Sequence, residues 1–324
     1  MSAAAHLLSR IGPLGLGGAP LGNLYAPLDD DEAGRTVEEA WRLGLRYFDT
    51  APLYGHGLSE QRLGQVLRRK PRDDFVLSTK VGRLLSPDPA PPVERDGYVR
   101  GLPLAPRFDY SHDGALRSIE QSLERLGLSR IDIALIHDID RHTHGAEAQP
   151  ARFREAMDGA YRALDRLRGE GVVGAIGIGV NEWEVCRDAL AAGDFDCMML
   201  AGRYTLLDDS AGRELVPLCV ARGVKLILAG VFNSGILASG ATPGAHFHYR
   251  PAPEAVRAHV ERIAAMCAGF GVALPAAALR FALDCPAAAA VVVGARSAEE
   301  IAQSVALART PIPHALWDAL AQER

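Results

Sequence analysis

Cysteine is scarce in this 324-residue chain: Cys186, Cys197, Cys219, Cys267 and Cys285 are five, an odd number, widely spaced in apolar segments. That excludes a disulfide framework or a clustered zinc site and fits the reduced thiols of a cytoplasmic protein. Basic excess is also missing. The net charge is −5, without the basic face that nucleic acid would require. No apolar run approaches the roughly 18 residues that cross a bilayer, so no membrane partner is expected. The opening "MSAAAHLLSR" is too short and too weakly apolar for a secretory signal. Composition does not shift near the midpoint, so residues 1–324 are expected to form one domain. What is present is ordinary for a globular protein, 48% hydrophobic and 23% charged.

Short apolar runs recur: "RYFDT", "FVLSTK", "IDIALIH", "VGAIGIG", "DCMML", "VKLILAG" and "AAVVVGA", with "GPLGLGG" before them. Amphipathic stretches of helical length alternate with these runs. "DEAGRTVEEAWRLGL" puts Val37, Ala40, Trp41 and Leu43 on one face behind an acidic start. "DGALRSIEQSLERLGL" does the same with Leu116, Ile119, Leu123 and Leu126, and Gly127 stops it. Further helical patterns lie near 152–169, 182–192, 210–222, 254–270 and 297–307. Continuous apolar strands alternating with helices mean a parallel sheet covered by helices. Eight such units over this length predict an α/β fold, a (β/α)8 TIM barrel. The Pro-rich segment 84–111 follows "FVLSTK" and reads as a long loop without regular periodicity over the C-terminal mouth.

Two local patterns suggest sites and do not hold up. "GLGGAPLG" lacks the G-x-G-x-x-G spacing of a dinucleotide fingerprint, and Pro20 interrupts it. "HDIDRHTH" offers metal-ligand types, but only His137 ends an apolar strand; Asp138, Asp140, His142 and His144 are expected in a solvated loop, as is "HFH" at 246–248. No metal site is expected. The polar groups at successive strand ends are more informative: Asp49 with Tyr54 just beyond it, then Lys80, then His137. A parallel barrel gathers these ends at one mouth. A phenol is a poor base at neutral pH. An adjacent ammonium is expected to lower its pKa, and a carboxylate to hold that ammonium in place. With an imidazole to orient a substrate oxygen, this set can move a proton on or off an oxygen while another group takes a hydride.

The motifs "GLRYFDTAPLYGHGLSEQRLG", "STK", "LIHD" and "GIGVNEWE" resemble the aldo-keto reductase superfamily across most of the chain. The resemblance implies a nicotinamide cofactor, NAD or NADP, bound without a Rossmann motif. It implies Tyr54 as general acid/base, Lys80 and Asp49 tuning it, and His137 orienting substrate. It also implies Asn181 at the carboxamide, where Val180 replaces the usual serine of a Ser-Asn pair. Ala201 and Ala229 fall where a glutamine and a stacking tyrosine are common, leaving Phe232 or Asn233 to shape that wall. Gly18, Asp49, Gly235 and Gln303 are further expected cofactor contacts. Gly294, Ala295, Arg296 and Ser297 are expected at the pyrophosphate–ribose end, where Glu300 in place of a common arginine leans the reading to NAD.

"GGAPLGNLY", "HDIDRHTHG" and "FNSGILASG" resemble the branch that includes D-threo-aldose 1-dehydrogenase and L-fucose dehydrogenase. The implied activity is oxidation of the anomeric hydroxyl of L-fucose, L-galactose or D-arabinose to the lactone, with Tyr54 as base. Pyridoxal 4-dehydrogenase, carbonyl reduction, a metal-dependent barrel hydrolase with His142 or His144 in its pocket, and a non-catalytic subunit are the rival readings. The expected partner is a small sugar, and the expected assembly a monomer or homodimer.

Overall fold

Each apolar run becomes a strand in the computed structural model, which describes residues 2–323. The barrel strands are β1 (Leu14–Gly17), β2 (Tyr47–Asp49), β3 (Val76–Val81), β4 (Ile133–His137), β5 (Ala175–Val180), β6 (Cys197–Ala201), β7 (Lys225–Ala229) and β8 (Ala288–Gly294). Neighbours pair in parallel, and β1 closes the ring between β2 and β8. The architecture is the expected (β/α)8 barrel.

Alternation along each strand divides the interior into layers. Tyr47, Val76, Ile133, Leu135, Cys197, Met199, Ile227 and Val292 share one apolar cluster with Ala4, Leu8 and Ile11, so the helix Ala3–Ser9 and the residues after it pack against the barrel filling. The next lumen-facing positions toward the strand C-termini are polar: Asp49, Ser78, Lys80 and His137. Two glycines make room for large neighbours. A Cβ at Gly15 would sit 2.6 Å from the Tyr47 ring, and one at Gly179 would sit 3.3 Å from Lys80 Cε. The opposite strand faces pack against the surrounding helices, while helices Glu254–Gly269, Leu274–Leu283 and His314–Glu323 cover a separate apolar cluster.

Two expectations need correction. The 84–111 segment is not structureless: Arg83–Pro87 pairs with Leu104–Phe108, and Glu94–Arg95 pairs with Tyr98–Val99. Asp96 and Gly97, both at positive φ (54° and 79°), form the two-residue turn of the second hairpin. Second, helix Arg141–Asp158 begins inside the segment read as solvated loop. Asp140 caps it, its Oδ1 accepting from Thr143 N at 3.0 Å, and is itself fully buried. Helix Leu58–Leu67 also escaped the periodicity reading, because both its faces are largely buried and its apolar residues make no clean stripe.

Candidate active site

The register of β2, β3 and β4 brings the strand-end groups together. Lys80, 1% exposed, donates from Nζ to both Asp49 oxygens (3.0 and 2.8 Å) and to Thr50 O (2.8 Å). Behind the pair, Ser78 Oγ donates to Asp49 Oδ1 at 2.6 Å and lies 2.9 Å from Tyr47 OH. Ser78 spends its proton on the carboxylate, so Tyr47 is the donor to Ser78. Tyr54 leaves β2 in the loop before helix Leu58–Leu67. Lys80 Nζ lies 4.7 Å from its ring centroid, and the His137 ring packs edge-on at 6.0 Å. All four expected residues meet at one mouth. Sequence reasoning missed Tyr47 and Ser78, although both occupy alternate lumen-facing positions beside Asp49 and Lys80.

Electrostatics correct one expectation. Burial, then the Asp49 carboxylate, push the Tyr54 phenol well above its ordinary pKa, where a lowering by Lys80 was expected. The reason is geometric: the Lys80 charge is offset by Asp49 at hydrogen-bond distance, so desolvation and the Asp49 carboxylate win. Burial, with Arg83 and Lys80 adding like charge, holds His137 well below its usual value and therefore neutral at neutral pH. A protonated phenol and a neutral imidazole thus face the same space.

That space is a cavity of about 630 Å³ lined by Tyr54, Lys80, His137, Gly179, Val180, Asn181, Met199, Ala201 and Ala229 on the barrel side. Hairpins and loops supply the outer wall: Tyr25, Arg83, Asp96, Tyr98, Phe108, Asp138, His142 and Tyr249. Of these outer residues only His142 was singled out from the sequence as a pocket residue, and that for the rival hydrolase reading. The Asp-Gly turn before Tyr98 was the available signal for that hairpin. Asp138 and Asp140 are buried, not solvated: Asp138 pairs with Arg83 at 2.8 Å, and Asp140 Oδ2 accepts from Asn181 N at 2.7 Å. His142 lines the cavity, while His144 Nε2 lies 3.0 Å from Tyr110 OH. Among the described residues, no three His, Cys, Asp or Glu side chains are grouped to hold a metal ion.

Residues 13–322 match the sequence model of the aldo/keto reductase family. The chain belongs to that family. Its similarity extends to two characterised enzymes at full length. It is 43% identical over 319 residues to pyridoxal 4-dehydrogenase of Microbacterium luteolum, covering 96% of this chain and 93% of that one. It is 42% identical over 328 residues to D-threo-aldose 1-dehydrogenase of a Pseudomonas species, covering 99% and 97%. Among solved structures, an aldo-keto reductase of Bacillus halodurans in its holo form superposes with TM-score 0.74 at 25% identity, covering 97% of this chain and 92% of that one. Family members are oxidoreductases that work with a nicotinamide nucleotide.

The residues of this chain fit such a nucleotide best at the mouth. Gly179, Val180, Ala201 and Ala229 leave a flat, small-residue wall, and the Asn181 amide lines the cavity beside it. Tyr249 OH reaches Asn181 Oδ1 at 3.4 Å. Asn233 is buried at φ 46° with its Oδ1 lacking a hydrogen-bond partner, while Nδ2 donates to Gly202 O at 3.3 Å. Phe232 is half-buried against the apolar clusters, and Gly235 (φ 98°) opens the short helix Ile236–Ser239. The far end is self-satisfied. Arg296 donates to the carbonyls of Leu24, Ala26 and Pro27 at 2.9–3.1 Å. Ser297 Oγ caps helix Ala298–Ala308 through Glu300 N, and the Glu300 carboxylate accepts from Arg296 N at 2.8 Å. Gly294 packs on Pro20, Ala295 is buried, and Gln303 is exposed on the helix. Gly18 is closed in by Ser59, whose Oγ donates to its carbonyl at 2.7 Å.

Proposed function

We propose that this enzyme oxidises a cyclic hemiacetal to a lactone with a nicotinamide nucleotide, its substrate an aldopyranose of the L-fucose, L-galactose or D-arabinose type. The observation that carries the reading is the convergence of Tyr54, Lys80, Asp49 and His137 on one cavity. The two named relatives narrow it: an aldose and pyridoxal both close on themselves to cyclic hemiacetals, whose oxidised product is a lactone. Asn181 and Asn233 would hold the nicotinamide end, and a nicotinamide bound there would supply the acceptor for the hydride of the hemiacetal carbon. Tyr54 accepts the hydroxyl proton as that carbon becomes a carbonyl, and neutral His137 orients the same oxygen. Run in reverse, the protonated phenol donates to a carbonyl. A panel of the three sugars, followed at the absorbance of reduced nicotinamide, is expected to show turnover that rises at mildly alkaline pH. Turnover of pyridoxal with all three sugars inert would remove the sugar assignment.

NAD is the proposed preferred nucleotide. A 2′-phosphate asks for a free guanidinium or ammonium. Here Arg296 is committed to three backbone carbonyls, and Glu300 and Glu32 already serve the helix N-terminus, Glu32 Oε1 accepting from Ala298 N at 3.3 Å. Wild type is expected to favour NAD over NADP by roughly 10-fold or more in kcat/KM. Arg296→Ala is expected to weaken both nucleotides alike, since it frees the 24–27 loop. A strong NADP preference that the substitution abolishes would instead make Arg296 the phosphate clamp.

A further inference from the structure

Arg83 and Asp138 sit three residues after Lys80 and one residue after His137. Gly82 (φ 107°) lets the chain turn sharply there; a Cβ would come 2.3 Å from the Tyr110 ring. Asp138 also takes a positive φ, 52°, with its N–H donating to Gly179 O at 2.9 Å. These turns lay the two side chains across the cavity wall, where they pair at 2.8 Å. The guanidinium packs over Phe108 at 4.5 Å, and Asp138 Oδ1 lies 3.5 Å from His137 Nε2. Both side chains are about nine-tenths buried, yet Arg83 Nη1 has no hydrogen-bond partner. A buried ion pair recovers its desolvation only when its remaining donors and acceptors are satisfied. This one lines the cavity, and its guanidinium is one hydrogen bond short at Nη1, an atom closed off from solvent.

We propose that the Arg83–Asp138 pair binds a ring hydroxyl on the carbon next to the reacting one, making the pair the specificity element for hydroxylated substrates. A hydroxyl fits both halves at once, accepting from the guanidinium and donating to the carboxylate. A carbonyl offers only an acceptor. The His137 ring packs on Tyr54, His137 Nε2 lies 3.5 Å from Asp138, and Asp138 pairs with Arg83, so the pair adjoins the groups that handle the reacting oxygen. The inference rests on the hemiacetal-oxidising reading above and adds to it the neighbouring hydroxyl.

The test compares D-arabinose with 2-deoxy-D-ribose, its 2-deoxy counterpart, in wild type and in the double variant Arg83→Met/Asp138→Asn. Asparagine is chosen because it tolerates the positive φ. Removing both partners avoids leaving an unpaired buried charge. Wild type is expected to prefer the hydroxylated sugar by roughly 10- to 100-fold in kcat/KM, the worth of a hydrogen bond to a charged group. In the double variant that preference is expected to shrink below about 3-fold, with nucleotide binding by fluorescence confirming the fold. The change between proteins is the readout, which cancels intrinsic reactivity differences between the sugars. Arg83→Lys, which keeps the charge and loses the planar fork, is expected to fall between and serves if the double variant does not fold. A wild type that oxidises neither of these sugars nor L-fucose nor L-galactose removes the sugar assignment and this inference together. Oxidation of both sugars at equal rates, or an undiminished preference in the variants, overturns this inference alone.

Discussion

Tyr54→Phe is expected to lower turnover by about 10²–10⁴-fold while nucleotide binding persists, the range by which positioned acid–base groups accelerate proton transfer. The phenol is the group to remove because its alternatives are committed. Lys80 donates to Asp49 and Thr50, and Asp49 accepts from Lys80 and Ser78. His137 is held neutral by burial and by the nearby cations, which suits it to orient an oxygen more than to accept a proton from it. The Tyr54 hydroxyl has no hydrogen-bond partner among the described residues and its ring lines the cavity. Because burial and Asp49 raise its pKa, the phenolate is scarce at neutral pH. Oxidation should therefore rise with pH across the neutral range without an acid-side plateau, and carbonyl reduction should stay level there, since it uses the protonated form. Steady-state rates in both directions, with nucleotide titration of the variant, check this. Near-wild-type turnover in Tyr54→Phe would show that another group exchanges the proton.

The barrel was readable because its strands are continuous apolar runs, a pattern that survives any detail of packing. Eight such runs, ending in Asp49, Lys80 and His137, define both the fold and the mouth. The helix Leu58–Leu67 shows the limit of periodicity. Ser59, Glu60 and Arg62 are buried in polar networks, with Glu60 bonded to Thr79 and Arg125, so polarity no longer marks the outer face. The 84–111 segment failed for a different reason. Its prolines suppress the alternation that betrays a strand, and only the Asp-Gly pair at 96–97 announces a hairpin.

The tetrad was legible because Asp49, Lys80 and His137 stand at strand ends and Tyr54 in the loop just after one, where position follows from the fold class. The outer wall was not. Tyr25, Tyr98, Phe108 and Tyr249 reach the cavity from loops and hairpins whose paths depend on long-range contacts, such as Tyr25 N donating to Gly97 O at 2.9 Å. Asp138 was misread as solvated for the same reason. Its partner Arg83 returns over the mouth only because Gly82 permits the turn, and no local pattern couples positions 83 and 138. Likewise, Arg296 sits where sequence similarity suggested a phosphate contact, while the structure spends its donors on a loop about 270 residues away.

Lys80→Met separates what the buried pair does for the fold from what it does for catalysis. The substitution leaves the Asp49 carboxylate, 2% exposed, with Ser78 as its remaining side-chain donor. Breaking a buried ion pair from one side costs about 3–5 kcal/mol, so the thermal midpoint should fall clearly. The field at Tyr54 changes too. If Asp49 stays ionised, its charge is no longer balanced; if it takes a proton, the nearby cation is lost without replacement. The first outcome raises the phenol further, since the Asp49 carboxylate already disfavours the phenolate; the second leaves the ring without the cation that faces it. Oxidation at neutral pH is therefore expected to drop by roughly 10²-fold and to recover partly as pH rises. Adding Asp49→Asn to Lys80→Met removes the stranded charge and should restore much of the stability. It should not restore the rate, since the cation 4.7 Å from the Tyr54 ring is still missing. An unchanged pH–rate profile in a folded, active Lys80→Met variant, or recovery of rate along with stability in the double variant, would confine Lys80 to a structural role.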